Sequence, residues 1–156
     1  MNRKGYMVLY GTQTGTAEDL AVELQEDIRE LGIECGCENV FDVDVAQLDS
    51  LEKVFVIIST WGDGDPPDDA EDFCEVLSKV NENRLKGLDY AVFALGDSGY
   101  ELFCECGKQV DKYLSFAGAH ALMDRVDCDI DIDEPFREWK EKLLSILREC
   151  VSVVEA

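Results

Sequence analysis

Residues 53–60 read KVFVIIST, an unbroken run of β-branched and aromatic residues after the lysine. A strand with one wet face alternates apolar and polar side chains. A strand without that alternation is covered on both faces, which is the habit of parallel sheets sandwiched between helices. This stretch therefore constrains the fold more than any other part of the chain, and the segments around it have to supply the covering layers.

They do so by alternating strand and helix signals. A strand is expected at Gly5–Tyr10, followed by a helix at Ala17–Leu31 with Ala17, Leu20, Ala21, Leu24, Ile28 and Leu31 on one face and Gly32 as its stop. A short strand follows near Ile33–Val40, then the run at 53–60. A second helix is expected over Asp69–Val80, burying Ala70, Phe73, Cys74 and Leu77. DYAVFAL at 89–95 reads as the fourth strand. A helix over Cys104–Ala117 ends at Gly118, and a fifth strand lies near Ala121–Asp127. The last helix opens near Asp133 with Pro135 in its first turn, where a missing N–H costs little. Its stripe of Phe136, Trp139, Leu143, Leu144, Leu147, Cys150 and Val151 has core spacing, so both aromatics are expected to pack inside.

Five strands alternating with four main helices predict an α/β three-layer sandwich with a five-stranded parallel sheet and right-handed crossovers. In such sheets ligands sit beyond the carboxyl ends of the strands, where the strand order reverses. For the order 2-1-3-4-5 that crevice lies between strands one and three. Unusual loops should then follow strands one, three and four, as they do.

The chain has 156 residues, 46% of them hydrophobic, which suits one domain spanning residues 1–156 with a full core. Its 35 acidic and 14 basic residues leave a charge of −21, which argues against nucleic acid or an anionic membrane as partner and for a basic patch on another protein. Seven cysteines in a chain without a signal-peptide pattern or an apolar run of transmembrane length suit free thiols in a reducing cytoplasm. The pairs Cys35/Cys37 and Cys104/Cys106 are spaced C-x-C, unlike common zinc sites, and a single histidine, His120, makes a metal cluster improbable.

The three loops carry the chemistry. GTQTGT at 11–16 joins a strand to a helix whose N-terminus offers backbone N–H groups and partial positive charge. Thr12, Thr14 and Thr16 add hydroxyls and Gln13 an amide, while Gly15 allows close approach. The loop lacks the lysine of a nucleoside-triphosphate loop and the G-x-G-x-x-G of a dinucleotide fold. STWGDGDPPDD at 59–69 places Trp61 at a strand end, and LGDSGYELFCECG at 95–107 places Tyr100 at a neighbouring one. Two aromatics suggest a slot for a flat conjugated ring. With one phosphate held by neutral donors, that describes flavin mononucleotide (FMN).

YGTQTGTAEDLA, STWGDGDPPDDAEDF and LGDSGYELFCECGKQVDKYL resemble the three flavin-binding loops of the flavodoxin family, across essentially the whole chain. The first loop and the GDP of the second also resemble the FMN domain of diflavin reductases, whereas STWGD and GDSGYELFC look closer to free-standing bacterial flavodoxins. With no long insertion in the fifth strand, the chain resembles a short-chain member. The resemblance implies that Thr12, Gln13, Thr14, Gly15 and Thr16 cradle the phosphate. Thr60, Trp61, Gly62 and Gly64 would line one side of the ring, with Trp61 stacking. Leu95, Gly96, Asp97, Tyr100, Phe103 and Cys104 would form the other, with Tyr100 as the second stacking ring. Diflavin domains commonly carry asparagine where this chain has Cys104. They also carry an acidic residue after strand five near the flavin, for which VDCDID offers both Asp127 and Asp129.

The function implied is a low-potential, monomeric carrier of single electrons, with no substrate of its own, that forms transient complexes with redox proteins bearing basic docking faces. Stacked aromatics, many carboxylates and no basic residue near the ring disfavour the added negative charge of the fully reduced flavin. The alternatives are the excised FMN domain of a larger diflavin reductase and a small FMN-dependent reductase. A phosphorylation-dependent receiver domain shares the fold but needs an aspartate at the end of strand three, where Ser59, Thr60 and Trp61 stand instead.

Overall fold

The computed structural model describes residues 5–11, 15–59, 71–96, 105–129 and 131–155. The strands are β1 (Tyr6–Gly11), β2 (Cys35–Asn39), β3 (Lys53–Ser59), β4 (Asp89–Leu95), β5 (His120–Ala121) and β6 (Val126–Cys128). The helices are α1 (Thr16–Glu30), α2 (Glu71–Leu77), α3 (Glu105–Phe116) and α4 (Asp133–Glu155), and two 3₁₀ turns, Val40–Asp42 and Val45–Ser50, link β2 to β3. All strand pairs are parallel, in the order β2-β1-β3-β4-β5, with β6 also alongside β4. This is the expected architecture, a parallel sheet between two helical layers.

β3 shows why an unbroken apolar run is needed. Val54, Val56 and Ile58 point into one core with Phe73, Leu77, Val110 and Leu114 of α2 and α3. Phe55 and Ile57 point into the other, with Ala21, Leu24 and Ile28 of α1 and Trp139, Leu143 and Leu147 of α4. Trp139 is buried, as is Phe136; their rings lie 6.0 Å apart, and Phe93 of β4 meets them at 5.4 and 5.3 Å. Aromatic pairs of this kind add about 0.5–1.5 kcal/mol each beyond their buried area. Both aromatics are thus packing residues, as their spacing predicts.

Boundaries shift by a residue or two, and two differences have clear physical causes. The second helix ends at Leu77 rather than Val80, because Lys79 and Val80 donate to Val76 and Leu77 three residues back and the last turn tightens. Its expected beginning at Asp69 and Ala70 lies outside the described residues. The expected single fifth strand, Ala121–Asp127, is instead split into β5 and β6. Tyr90 pairs with Ala121 and Phe93 with Val126, so four residues (122–125) span a gap that β4 crosses with two, Ala91 and Val92. Because the surplus is even, the inward and outward alternation survives the break. Gly32 follows α1 in the left-handed conformation (φ 84°) expected of a helix stop.

Candidate functional site at the carboxyl edge of the sheet

The strand ends form one row. Gly11 is in register with Ile58, Ser59 with Leu95, and Leu95 with Cys128. α1, which follows β1, packs on one face of the sheet, and α2, which follows β3, packs on the other. The chain therefore reverses its winding between β1 and β3, the switch point beyond which sheets of this kind bind their ligands. The Ser59 hydroxyl donates to the Gly11 carbonyl at 3.2 Å and ties the two strands together at this switch point.

Of the residues expected to bind phosphate, Gly15 and Thr16 are described. Gly15 is the N-cap of α1 in a left-handed conformation (φ 93°, ψ −9°), without a side-chain cap hydrogen bond, and Thr16 is the first helical residue. A helix start at a strand end is the arrangement that suits an anion. Two carboxylates, Glu18 and Asp19, stand in the first turn. The Tyr10 hydroxyl, 3.3 Å from Glu18 Oε1, draws the first of these toward β1. Burial, and next the Glu18 charge, push the Tyr10 hydroxyl above its ordinary pKa, so it stays a protonated donor.

On the ring side, Leu95 is buried at the end of β4 and Gly96 follows it. The Gly96 N–H donates to the Cys128 carbonyl of β6 at 2.9 Å. Thr12, Gln13, Thr14, Thr60, Trp61, Gly62, Gly64, Asp97, Tyr100, Phe103 and Cys104 lie outside the described residues. The strands and helices that lead into and out of their loops converge on the one edge.

Four features of this edge escaped the sequence reading. One is the Ser59–Gly11 tie. A second is Gly107 of α3, where a β-carbon would collide with Cβ of Ala94 and come within 3.8 Å of Ile58, so α3 lies directly on the ends of β3 and β4. A glycine inside a helical pattern is the signal that could have found it. The third is Arg125, which donates from Nε to Asp127 at 2.7 Å and from Nη1 to Asp111 of α3 at 2.6 Å. The fourth is the thiol of Cys128, which donates to the Asp129 carbonyl at 3.2 Å and is pushed up to about 11 by burial and then by Asp129 and Asp131. Asp127 is thus engaged by Arg125, while Asp129 follows the end of β6. His120 lies at the opposite edge, exposed and paired with Asp89.

The charge is distributed unevenly. No lysine or arginine stands within residues 5–28, 54–78, 87–107 or 126–136, and these segments hold the strand ends and all their outgoing loops. The cations Lys53, Lys79, Arg84 and Lys86 belong to segments that lead into β3 and β4 from the other side.

A family model described as flavodoxin matches residues 8–139. The sulfite reductase [NADPH] flavoprotein alpha-component of Bacillus subtilis is 40% identical over 146 residues, covering 94% of this chain and 24% of the relative. The corresponding protein of Photobacterium profundum is 39% identical over 149 residues, covering 96% and 25%. The chain therefore spans about a quarter of the length of these relatives. Among solved structures, a flavodoxin of Streptococcus pneumoniae superposes with a TM-score of 0.81 at 27% identity, covering 92% of this chain and 97% of that one. Oxidised flavodoxin 1 of Bacillus cereus, at 21% identity and a TM-score of 0.80, covers 93% and 98% and shares the fold. With the strand order and the switch point already pointing to one ligand edge, these similarities identify the chain as an FMN-binding electron-transfer domain of the flavodoxin family.

Proposed function

We propose that residues 1–156 form one domain that passes single electrons on FMN between redox proteins and turns over no substrate of its own. The observation that carries this reading is the row formed by Gly11, Ser59, Leu95 and Cys128, from which all three glycine-containing loops depart. The residues present fit the cofactor. The start of α1 at Gly15 would present backbone N–H groups and the positive end of the helix dipole, and Thr12, Gln13, Thr14 and Thr16 would complete a phosphate cradle without a cation. Thr60, Trp61, Gly62 and Gly64 would line one side of the ring. Leu95, Gly96, Asp97, Tyr100, Phe103 and Cys104 would line the other. After the fifth strand, Asp127 and Asp129 are both carboxylates that would stand near the flavin. When bound, FMN supplies one-electron redox chemistry. The protein supplies orientation, a partly dry slot and a field that resists added negative charge, which lowers the potential.

The acidic segments around this edge suit brief docking to basic faces of a donor and an acceptor, in a reducing cytoplasm, with the chain acting as a monomer. Buried free thiols at Cys35, Cys74 and Cys128 agree with that compartment. Stopped-flow transfer to a basic-faced haem protein, measured from low to physiological salt, tests the docking. Rates should fall steeply as salt rises. A flat response would reduce the charge to a solubility device.

A second reading is favoured by the 40% identity to a reductase subunit of which this chain spans 24%. In it, the domain receives electrons from a flavin domain on the same polypeptide and delivers them to a separate acceptor. Reduction of the 156-residue protein by an added NADPH-dependent flavoprotein, saturating with that partner's concentration, supports the free carrier. Failure of every such donor alongside fast chemical reduction supports the tethered one.

A further inference from the structure

We infer that Arg125 is a positioning residue for the cofactor loop at 97–104, because it holds both anchors of that loop at once. The inference rests on the FMN reading above and goes beyond it by assigning a role to a residue outside the three loops.

The loop leaves the sheet at Gly96 and re-enters the fold at α3. Its first anchor is the hydrogen bond from Gly96 N–H to the Cys128 carbonyl, so the place where the loop departs follows the place of β6. Yet β6 has three residues and is separated from β5 by the four-residue break. So short a ladder holds weakly by itself. Arg125 stands at the far side of that break. Its guanidinium forks onto Asp127 of β6, Nε to Oδ1 at 2.7 Å and Nη2 to Oδ2 at 3.3 Å. Its third nitrogen, Nη1, reaches Asp111 Oδ2 of α3 at 2.6 Å, and the other oxygen of Asp111 accepts the Tyr90 hydroxyl of β4 at 2.5 Å. The guanidinium thus joins β6 to α3, and Asp111 carries the connection on to β4.

The second anchor is α3. Gly107 sets it down on Ala94, and Asp111 lies one helical turn further on, on the Arg125 fork. The start and end of the loop are therefore tied to the same guanidinium. Side chains of Arg125, Asp111 and Asp127 are each about three-quarters buried, 24%, 25% and 27% exposed, so solvent screens the cluster only in part. A lysine could satisfy one carboxylate but cannot span three oxygens of two carboxylates with a rigid plane. Arg125 also neutralises Asp127 close to the cofactor edge.

The test uses the whole protein, apo and FMN-loaded, with three variants. Lys140→Met is the control: Lys140 joins α4 to α1 through Glu23 at 2.9 Å and Asp27 at 2.7 Å, a comparable double ion pair remote from the loop. Arg125→Met should weaken FMN binding about 10- to 100-fold, the usual consequence of loosening the support of a site. It should also make the potential of the second one-electron step more negative, because Asp127 is no longer neutralised. Lys140→Met should leave FMN affinity and both potentials at wild-type values while lowering Tm. Wild-type affinity and potentials in Arg125→Met, with a Tm loss like that of Lys140→Met, would overturn the proposal. If Arg125→Met does not fold, Arg125→Lys decides: FMN binding at least about threefold weaker supports the fork, and unchanged binding overturns it. Wild-type protein that refuses FMN would instead overturn the carrier reading, and the clamp with it.

Discussion

Gly107 of α3 lies against Ala94 of β4 so closely that a β-carbon on Gly107 would overlap the Ala94 methyl. Helix and strand meet there with only the Ala94 methyl between them, two residues before Gly96, where the third loop begins. Gly107→Ala should push α3 away from the strand end. Although alanine favours helix by about 1 kcal/mol over glycine, the collision should reverse the sign and cost about 1–3 kcal/mol, the usual range for overpacking. Thermal denaturation of the apoprotein measures the loss, and FMN titration should show weaker binding. A stabilised variant would show that α3 shifts freely.

Gly15 presents the opposite case. Nothing lies within 4 Å of the place its β-carbon would occupy, but its φ is 93°. Gly15→Ala should therefore cost about 1–2 kcal/mol through backbone strain alone. Gly15→Asn should recover part of it, since asparagine tolerates the left-handed region better. Urea denaturation of the two apoproteins checks the order.

Lys53 is the one buried charged side chain among the described residues, 4% exposed, with its ammonium 3.0 Å from Asp89, 3.7 Å from Glu52 and 5.3 Å over the Tyr6 ring. Burial opposes the charge, but the Asp89 hydrogen bond, Tyr6 and the carboxylates together hold its pKa above the ordinary 10.5. Asp89→Asn should cost about 2–4 kcal/mol, because it leaves a cation in a dry site. Lys53→Met should cost less, since a methionine fills the space and Asp89 retains access to water. Equilibrium unfolding compares the two. A raised folded-state pKa means that the stabilisation is complete below the unfolded pKa, near 10.5, and is lost as pH rises through the folded one. Tyr90 acts in the same direction, its hydroxyl raised well above 10.0 by burial and then by Asp111. The protein should thus lose stability steeply above about pH 10, and Lys53→Met with Tyr90→Phe should flatten that limb.

The thiols of Cys35 and Cys128 are buried, and burial is the main cause that raises them, to about 12 and about 11. Attack by a thiol requires the thiolate. Both should resist alkylation by iodoacetamide in the folded protein at pH 8 and react promptly in guanidinium. Mass spectrometry of peptides after a timed pulse separates the two states. Rapid native labelling of Cys128 would mean that the end of β6 opens on the timescale of the reagent.

Much of this molecule was legible in local pattern. Continuous apolar strands at 53–60 and 89–95, separated by helical periodicity, demanded helices on both faces. The observed cores divide β3 between those faces residue by residue. The ends of β1, β3 and β4 were legible as well, because each apolar run gives way to a glycine-containing stretch. The break in the fifth strand was not, since HALMDRVDC carries enough apolar and β-branched residues to read as one strand. Only the register against β4 shows the two surplus residues.

The sequence by itself determined the order of elements and the two-sided sheet, because side-chain period acts over a few neighbouring residues. Tertiary structure decided which polar groups meet. Lys53 and Asp89 are 36 residues apart, and Tyr90 and Asp111 are 21 apart. Such pairs exist only once strand register and helix docking are set, and no local period encodes them. The Arg125 fork belongs to the same class, since it meets Asp111 only where α3 docks beside β6.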